Sequence, residues 1–284
     1  MIFNKVKIYD KELINKFLKT IGILSSIATL LFLFFDIPNE HKLKAFYGFI
    51  VVLIIIYLYI WYRANNIKSI NINIEGTEVN IKAGDIFEQK DFKVIAFNEY
   101  FDTQVDDKII SSKSLNGIFI NKYFKDSVNK LDEHIEKYNF EENKIEIDEN
   151  RKVGKKQKFK IGTICLYKFQ NNEEFILTAF SKFDENNRAI LTMPEYLEFL
   201  IKFWDEINRV YAQRSVSVPI FGSGITRIKE HKNISDEELL KIMLWTFRIS
   251  EMRFKYPANL TIVIHKDKID KINLLDVEIA KNGL

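Results

Sequence analysis

A single cysteine among 284 residues excludes an intramolecular disulfide framework and any four-cysteine zinc site. Histidine is nearly as scarce. The four present form neither an HExxH pattern nor a Cys/His cluster, so no catalytic metal and no cofactor are expected. Ten glycines and four prolines are too few for a low-complexity or collagen-like chain. An excess of one charge is also missing. Forty-two basic residues face 39 acidic ones, and a net charge of +3 makes no case for a nucleic-acid partner. What remains is 47% hydrophobic and 29% charged, the balance of a folded chain rather than a disordered one. The length fits one large domain, or an ordinary domain with an accessory.

The mean hydropathy of −0.12 conceals a sharply divided chain. No charge falls between Ile21 and Phe35, and that run reaches back to Phe17 if Lys19 snorkels. None falls between Ala45 and Tyr62 either, across a stretch built on Phe49 to Ile56. Spans of residues 17–35 and 45–62 would each be about 27 Å long as helices, close to the hydrocarbon thickness of a bilayer. Tyr57, Tyr59, Trp61 and Tyr62 stand where an aromatic belt belongs. Between the runs lie only Asp36 to Lys44, with Pro38 as a breaker, so the helices must return as an antiparallel hairpin. A buried soluble hairpin would keep a polar face, and neither run has one. A cleaved signal peptide would need a small-residue site, which Asp36-Ile37-Pro38-Asn39-Glu40 lacks. Lys5, Lys7, Lys11, Lys16 and Lys19 precede the first run, and Arg63 and Lys68 follow the second. Only Lys42 and Lys44 lie in the loop, so both termini are expected in the cytoplasm. Gly22, Ser25, Ser26 and Thr29 lie near one stripe suited to helix packing.

Beyond residue 63 the chain keeps 34 of its 42 basic and 35 of its 39 acidic residues, a nearly neutral domain over 64–284. Its hydrophobic pattern alternates between strand and helix periods, as an α/β fold requires. Ile70–Ile74 and Val79–Ile81 alternate around Glu75-Gly76-Thr77. Val94–Phe97 reads as a buried strand, and residues 118–138 as one helix. Glu141 to Lys158 is charge-dense and reads as a solvated hairpin or excursion. Residues 161–167 and 175–180 pair across Asn171-Asn172. A helix runs from Pro194 to about Gln213, a strand from Val216 to Ile220, a capped helix from Ser235 to about Phe254, and a last strand from Leu260 to Ile264.

The strongest local chemistry is the stretch from Pro219 to Arg227. There a buried strand enters a loop with Gly222, Ser223, Gly224, Ile225 and Thr226, and Arg227 follows. Two glycines let successive N–H groups converge on one point, which makes an anion nest, although a GxG loop more often closes an ordinary tight turn. The P-loop lysine and the GxGxxG spacing are both missing. Arg227 would offer a bidentate partner for phosphate or carboxylate. Asp85, in Gly84-Asp85-Ile86, is a strand-end carboxylate able to accept from an exocyclic amine, or a plain turn residue. Asn98, after Val94–Phe97, is an amide able to bind a ribose hydroxyl, or again a turn residue.

In order and spacing over about residues 70–270, these segments resemble the macro domain, a three-layer α/β/α fold with a mixed central sheet that binds ADP-ribose. The resemblance rests on Gly84-Asp85-Ile86, on Val94-Ile95-Ala96-Phe97-Asn98 as a VNAAN-like strand end, on Val105-Asp106, and on Gly222-Ser223-Gly224-Ile225 as the second phosphate loop. It implies that Asp85, beside Ile86, holds the adenine amine. Asn98 and Asp106 would flank the distal ribose, and the amides of Ser223, Gly224 and Ile225 would bind the diphosphate. His265 falls where an aromatic often stacks on adenine. The chain departs from the family at Asp102-Thr103-Gln104, where a glycine run is expected.

Two spans followed by a divergent macro domain look like the membrane effector of a Thoeris-type (type II) antiphage system. Residues Asn98–Thr103 and Asp106–Ser111 carry that likeness. It implies a partner TIR-domain enzyme that turns NAD into an ADP-ribose-type signal, in this branch conjugated to histidine. The macro domain would sense the signal and the membrane part would damage the membrane. Because two helices cannot enclose a pore, a homo-oligomer is expected. The alternatives are a membrane-anchored ADP-ribosyl hydrolase, with Asp106 polarising water and Glu99 or Asp107 assisting, and an anchored interaction module without a ligand. Phe199, Leu200, Phe203 and Trp204 read as helix core, Cys165 as a buried small hydrophobe, and Lys152 to Lys160 as a solvated basic face.

Overall fold

A computed structural model describes residues 5–169, 173–231, 233–250 and 253–280. The chain divides into two compact units, residues up to Ile70 together with those from Asp270 onward, and residues 71–269.

In the first unit, α1 (Lys11–Phe32) and α2 (Asn39–Asn65) form the expected hairpin. Both are long and apolar enough to cross a membrane. The Asp10 carboxylate caps α1 by accepting from Glu12 and Leu13 N–H. Apolar side chains cover the helices on all sides. Ile23, Leu30, Phe34, Ile54 and Ile55 are more than half exposed, which water would penalise and lipid would not. At one end the hairpin is tied down. The Trp61 indole donates to the Val6 carbonyl at 2.9 Å, and the Asn65 side chain brackets the same residue from both sides. Val6, Leu13 and Ala64 pack there with Leu275 of the short C-terminal helix α7 (Leu274–Ala280). Although α7 follows the α/β unit in sequence, it belongs spatially with the hairpin.

The second unit is built on a mixed sheet of β1 (Ser69–Ile74), β2 (Thr77–Gly84), β3 (Phe92–Asn98), β6 (Ile164–Lys168), β7 (Glu174–Phe183), β8 (Ala189–Leu191), β9 (Val216–Pro219), β10 (Arg227–Ile228) and β11 (Leu260–His265). Its order is β1-β2-β11-β9-β3-β7-β8-β10, with β6 also against β7. The central run β2, β11, β9, β3, β7 is parallel throughout, so these strands all end on one edge. β4 (Lys144–Ile147) and β5 (Gln157–Phe159) form a separate antiparallel pair.

Alternation along β7 shows how the sheet buries both faces. Phe175, Leu177 and Ala179 enter a core with α3 (Leu115–Tyr123) and α4 (Val128–Lys137). Phe180 points the other way, to Phe199 at 4.7 Å on α5 (Met193–Val210). Trp204 of α5 meets Phe247 of α6 (Asp236–Ile249) at 5.2 Å. The α5 residues Phe199, Leu200, Phe203 and Trp204 are fully buried, as core. Thr192 and Ser235 head α5 and α6 with complete capping boxes. The single helix expected over 118–138 is two. Phe124 leaves the helical region (φ −132°) and its ring turns into the core against Phe119 and Tyr167, so the turn at Lys125–Ser127 separates α3 from α4. Helices α5 and α6 also stop short of Gln213 and Phe254.

Candidate functional site

All of the segments singled out in the sequence follow the carboxyl ends of the parallel strands, the edge where open α/β sheets bind ligands. β2 ends at Gly84 opposite His265, the last residue of β11, and β9 ends at Pro219. β3 ends at Asn98 beside Ser181 of β7. A cleft of about 200 Å³ opens on this edge. It is lined by Asn98, by Ile109–Ser111 and Lys113–Asn116 leading into α3, by Phe183, and by Gly222 to Thr226. Asn98 and the glycine loop therefore share one concavity. Asp85, Asp106 and His265 are outside its lining. Asp85 and His265 lie further along the same edge, β2 being two strands, about 10 Å, from β9.

The glycine loop is a turn with its donors left open. Gly222 takes φ +82°, a conformation that a side chain resists, and a Cβ there would stand 3.4–3.6 Å from Leu239 and Tyr196. The Tyr196 hydroxyl donates to the Phe221 carbonyl at 2.9 Å, and Ser223 N–H closes onto the Ile220 carbonyl at 3.3 Å. Among the described residues, no protein acceptor faces the N–H groups of Gly224, Ile225 or Thr226. The open donors are thus shifted one residue from the expected Ser223–Ile225 set. Gly224 lines the cleft and has open space where a Cβ would stand, so a side chain there would meet no protein atom within 4 Å. The main chain of Arg227 pairs with Ile190, while its side chain lies outside the described residues.

Asn98 is buried and held by its own bend. Its carbonyl oxygen accepts from Tyr100 N–H at 3.0 Å and Asp102 N–H at 3.3 Å, and its amide donates to the Asp102 carboxylate at 3.0 Å. The bend it closes carries Phe101 at φ +49°, an uncommon conformation that costs about 1–3 kcal/mol and persists where packing over-determines it. Phe97, Phe140 and Phe159 surround that ring at 5.2–5.9 Å.

Asp102 stands where the family glycines were expected, and its partner was not anticipated. Arg151, from the β4–β5 excursion, donates to both Asp102 oxygens at 3.2 and 2.7 Å. Lys155 N–H adds 2.8 Å. The guanidinium lies 3.7 Å from the Tyr100 ring centre and also reaches Asn187. The side chains of Arg151 and Asp102 are 7% and 1% exposed, so the excursion read as a solvated hairpin has an inward tooth. Lys155, assigned to a solvated face, pairs with Asp132 at 2.6 Å and donates to the Phe101 carbonyl. The sequence signal for this clamp is thin. An arginine in a lysine-rich run resembles its neighbours until the fold brings it 49 positions back.

The carboxylates weighed for hydrolysis are otherwise employed. Asp106 accepts from Ile109, Lys108 and Gln104, and the Ile109 N–H first of all holds it below the usual carboxylate range. Asp107 is held down likewise, first by Ser112 N–H. Glu99 is buried, and burial raises its pKa although Phe183 N–H donates to it. It faces a different recess, with Lys158, Lys182 and Lys229. The Asp85 carboxylate accepts from Phe87 N–H at 2.9 Å and heads the turn at Ile86–Glu88, while the Ile86 side chain enters the core. The His265 imidazole is two-thirds exposed. Burial pushes the Cys165 thiol up to about 12, the behaviour of an inert core residue. Among the described residues, no group of three or more His, Cys, Asp or Glu converges as a metal set.

A mostly parallel sheet between helices, with an open-donor loop on its carboxyl edge, defines a macro-type α/β/α domain behind an apolar hairpin. The family model for the macro domain of Thoeris protein ThsA matches residues 79–265. A Thoeris protein ThsA of Bacillus amyloliquefaciens (strain Y2) is 39% identical over 259 residues, covering 88% of this chain and 84% of that one. A macrodomain of Oceanobacillus iheyensis with ADP is 15% identical with a TM-score of 0.49, over 76% of this chain and 98% of that one. A point mutant of the same macrodomain aligns over 77% and 100%, at the same identity and score. The chain belongs to the Thoeris ThsA macro-domain family and so to antiphage defence.

Proposed function

We propose that the α/β unit is the sensor of a membrane-bound Thoeris effector and that its ligand is an ADP-ribose derivative. The signal is a histidine–ADP-ribose conjugate made by a TIR-domain, NAD-consuming partner enzyme. The observation that carries this reading is the row of open N–H donors at Gly224, Ile225 and Thr226 on the cleft shared with Asn98. Successive donors without acceptors, at a strand end, suit the oxygens of a diphosphate. From there the adenine would extend along the edge toward Asp85, Ile86 and His265, and the distal ribose toward Asn98 and the Asp106 turn. Arg227 would meet a phosphate or the ligand's carboxylate.

In this reading residues 64–284 are the cytoplasmic portion. The spans 17–35 and 45–62 cross the bacterial inner membrane, with both termini cytoplasmic. Homo-oligomers reorganise on ligand binding and disrupt the bilayer, because a ligand shifts assembly only through differential affinity for two states. The capped, depressed Asp106 and Asp107 favour sensing over hydrolysis, since a carboxylate already accepting several N–H bonds is a poor general base. Calorimetric titration of the full chain in detergent with ADP-ribose should release heat, and Gly224→Glu, which places a carboxylate among the donors, should abolish it. Absence of heat from the unmutated chain at high-micromolar ligand overturns the reading. Release of ADP-ribose from a modified protein substrate would restore the hydrolase.

A further inference from the structure

Lys268 lies in the turn that leaves β11, three residues past His265. Its ammonium donates to the Ser223 main-chain carbonyl and sits 3.3 Å from the Asp236 carboxylate in the first turn of α6. Ser223, Gly224, Ile225 and Thr226 line the cleft, but Lys268 does not. The lysine therefore grips the loop from behind, and its charge is already matched by Asp236.

That grip has a directional consequence. In a planar trans peptide the carbonyl and the N–H point to opposite sides. Fixing the Ser223 oxygen on Lys268 sends the Gly224 N–H away from the lysine. Gly224 is the first of the three donors without an acceptor. A peptide that leads into glycine is otherwise easier to turn over, since glycine accepts either sign of φ. The Ser223 N–H bond to Ile220 holds the preceding peptide, and Lys268 holds the next one.

We propose that Lys268 is a positioning residue for the anion loop, holding the Ser223–Gly224 peptide so that the Gly224 donor is set before the ligand arrives. The proposal rests on reading the cleft as a diphosphate site. A loop set in advance loses less freedom on binding, so removing the anchor should weaken affinity roughly tenfold.

Two readouts on the full chain in detergent test this, hydrogen exchange over residues 221–226 without ligand and titration with ADP-ribose. Lys268→Met should accelerate exchange at Gly224 to Thr226 and weaken ADP-ribose binding about tenfold. Lys268→Arg, which keeps a cationic donor of similar reach, should restore most of both. If Lys268→Met does not fold, Lys268→Gln is too short to reach Ser223 and serves instead. If the wild type binds and the methionine variant binds and exchanges like it, the positioning role is overturned while the diphosphate reading stands. If the wild type does not bind ADP-ribose, that reading fails and exchange alone decides, with faster exchange supporting the anchor and unchanged exchange overturning it.

Discussion

At the scale of single residues, Asp102 shows how this chain departs from its own family pattern. Where glycines would let backbone approach a ligand, a carboxylate is buried with Asn98, Lys155 N–H and both arms of Arg151. Pairing two charges away from water is not in itself a large gain, but removing one partner leaves the other buried and uncompensated. Asp102→Ala should therefore cost about 3–5 kcal/mol, read as a lowered unfolding midpoint by intrinsic fluorescence. Arg151→Lys should recover little of it, because an ammonium cannot reproduce the two-pronged contact. Equal stability of Asp102→Ala and the parent would show that the pair does not form. The same network takes the Asn98 carbonyl oxygen and one of its two amide N–H groups, so a ribose hydroxyl at that point would have only the second N–H to meet.

At the scale of elements, the parallel strands matter most, because they bring four separate loops to one edge. The β3–β7 pairing in register from Phe92/Glu174 to Phe97/Ala179 carries Asn98 to the cleft, and the β11–β2 pairing carries His265 beside Gly84. A different element closes the other unit. Helix α7 buries Leu275 against Val6, Leu13 and Ala64, and Asn273 just before it donates to the α1 cap Asp10 at 3.3 Å. Leu275→Ala should cost about 2–5 kcal/mol of local stability, as other large-to-small core changes do. Hydrogen exchange at residues 6–14 would report it as faster opening of the base of α1. Unchanged exchange there would mean that α7 does not brace the hairpin.

For the whole molecule, the proposed function joins a ligand site to apolar helices and so calls for a membrane response that ligand controls. Vesicles carrying the full chain should release trapped dye when the ADP-ribose signal is added outside protein facing outward. Gly224→Glu should leave them tight while inserting normally. Release without ligand, or equal release by the variant, would separate the membrane activity from the site. A shift of two assembled states from 1:99 to 99:1 needs about 5.5 kcal/mol of differential affinity, which sets a demanding standard for a purely ligand-driven switch.

Much of this was written locally. The uncharged runs at Ile21–Phe35 and Ala45–Tyr62, the capping boxes at Thr192 and Ser235, and the glycine loop after Val216–Pro219 are each readable within a few residues, because helix ends, turns and apolar periodicity depend on near neighbours. The break between α3 and α4 was not readable, since it depends on where the Phe124 ring finds its core partners. Nor were the bonds from Arg151 to Asp102 and from Lys268 to Ser223, which join positions 49 and 45 apart. The sequence by itself determined the kinds of element and the chemistry each loop carries. The tertiary structure decided which loops meet and which side chains are already taken. Only the folded sheet sets distances between residues that the chain keeps far apart.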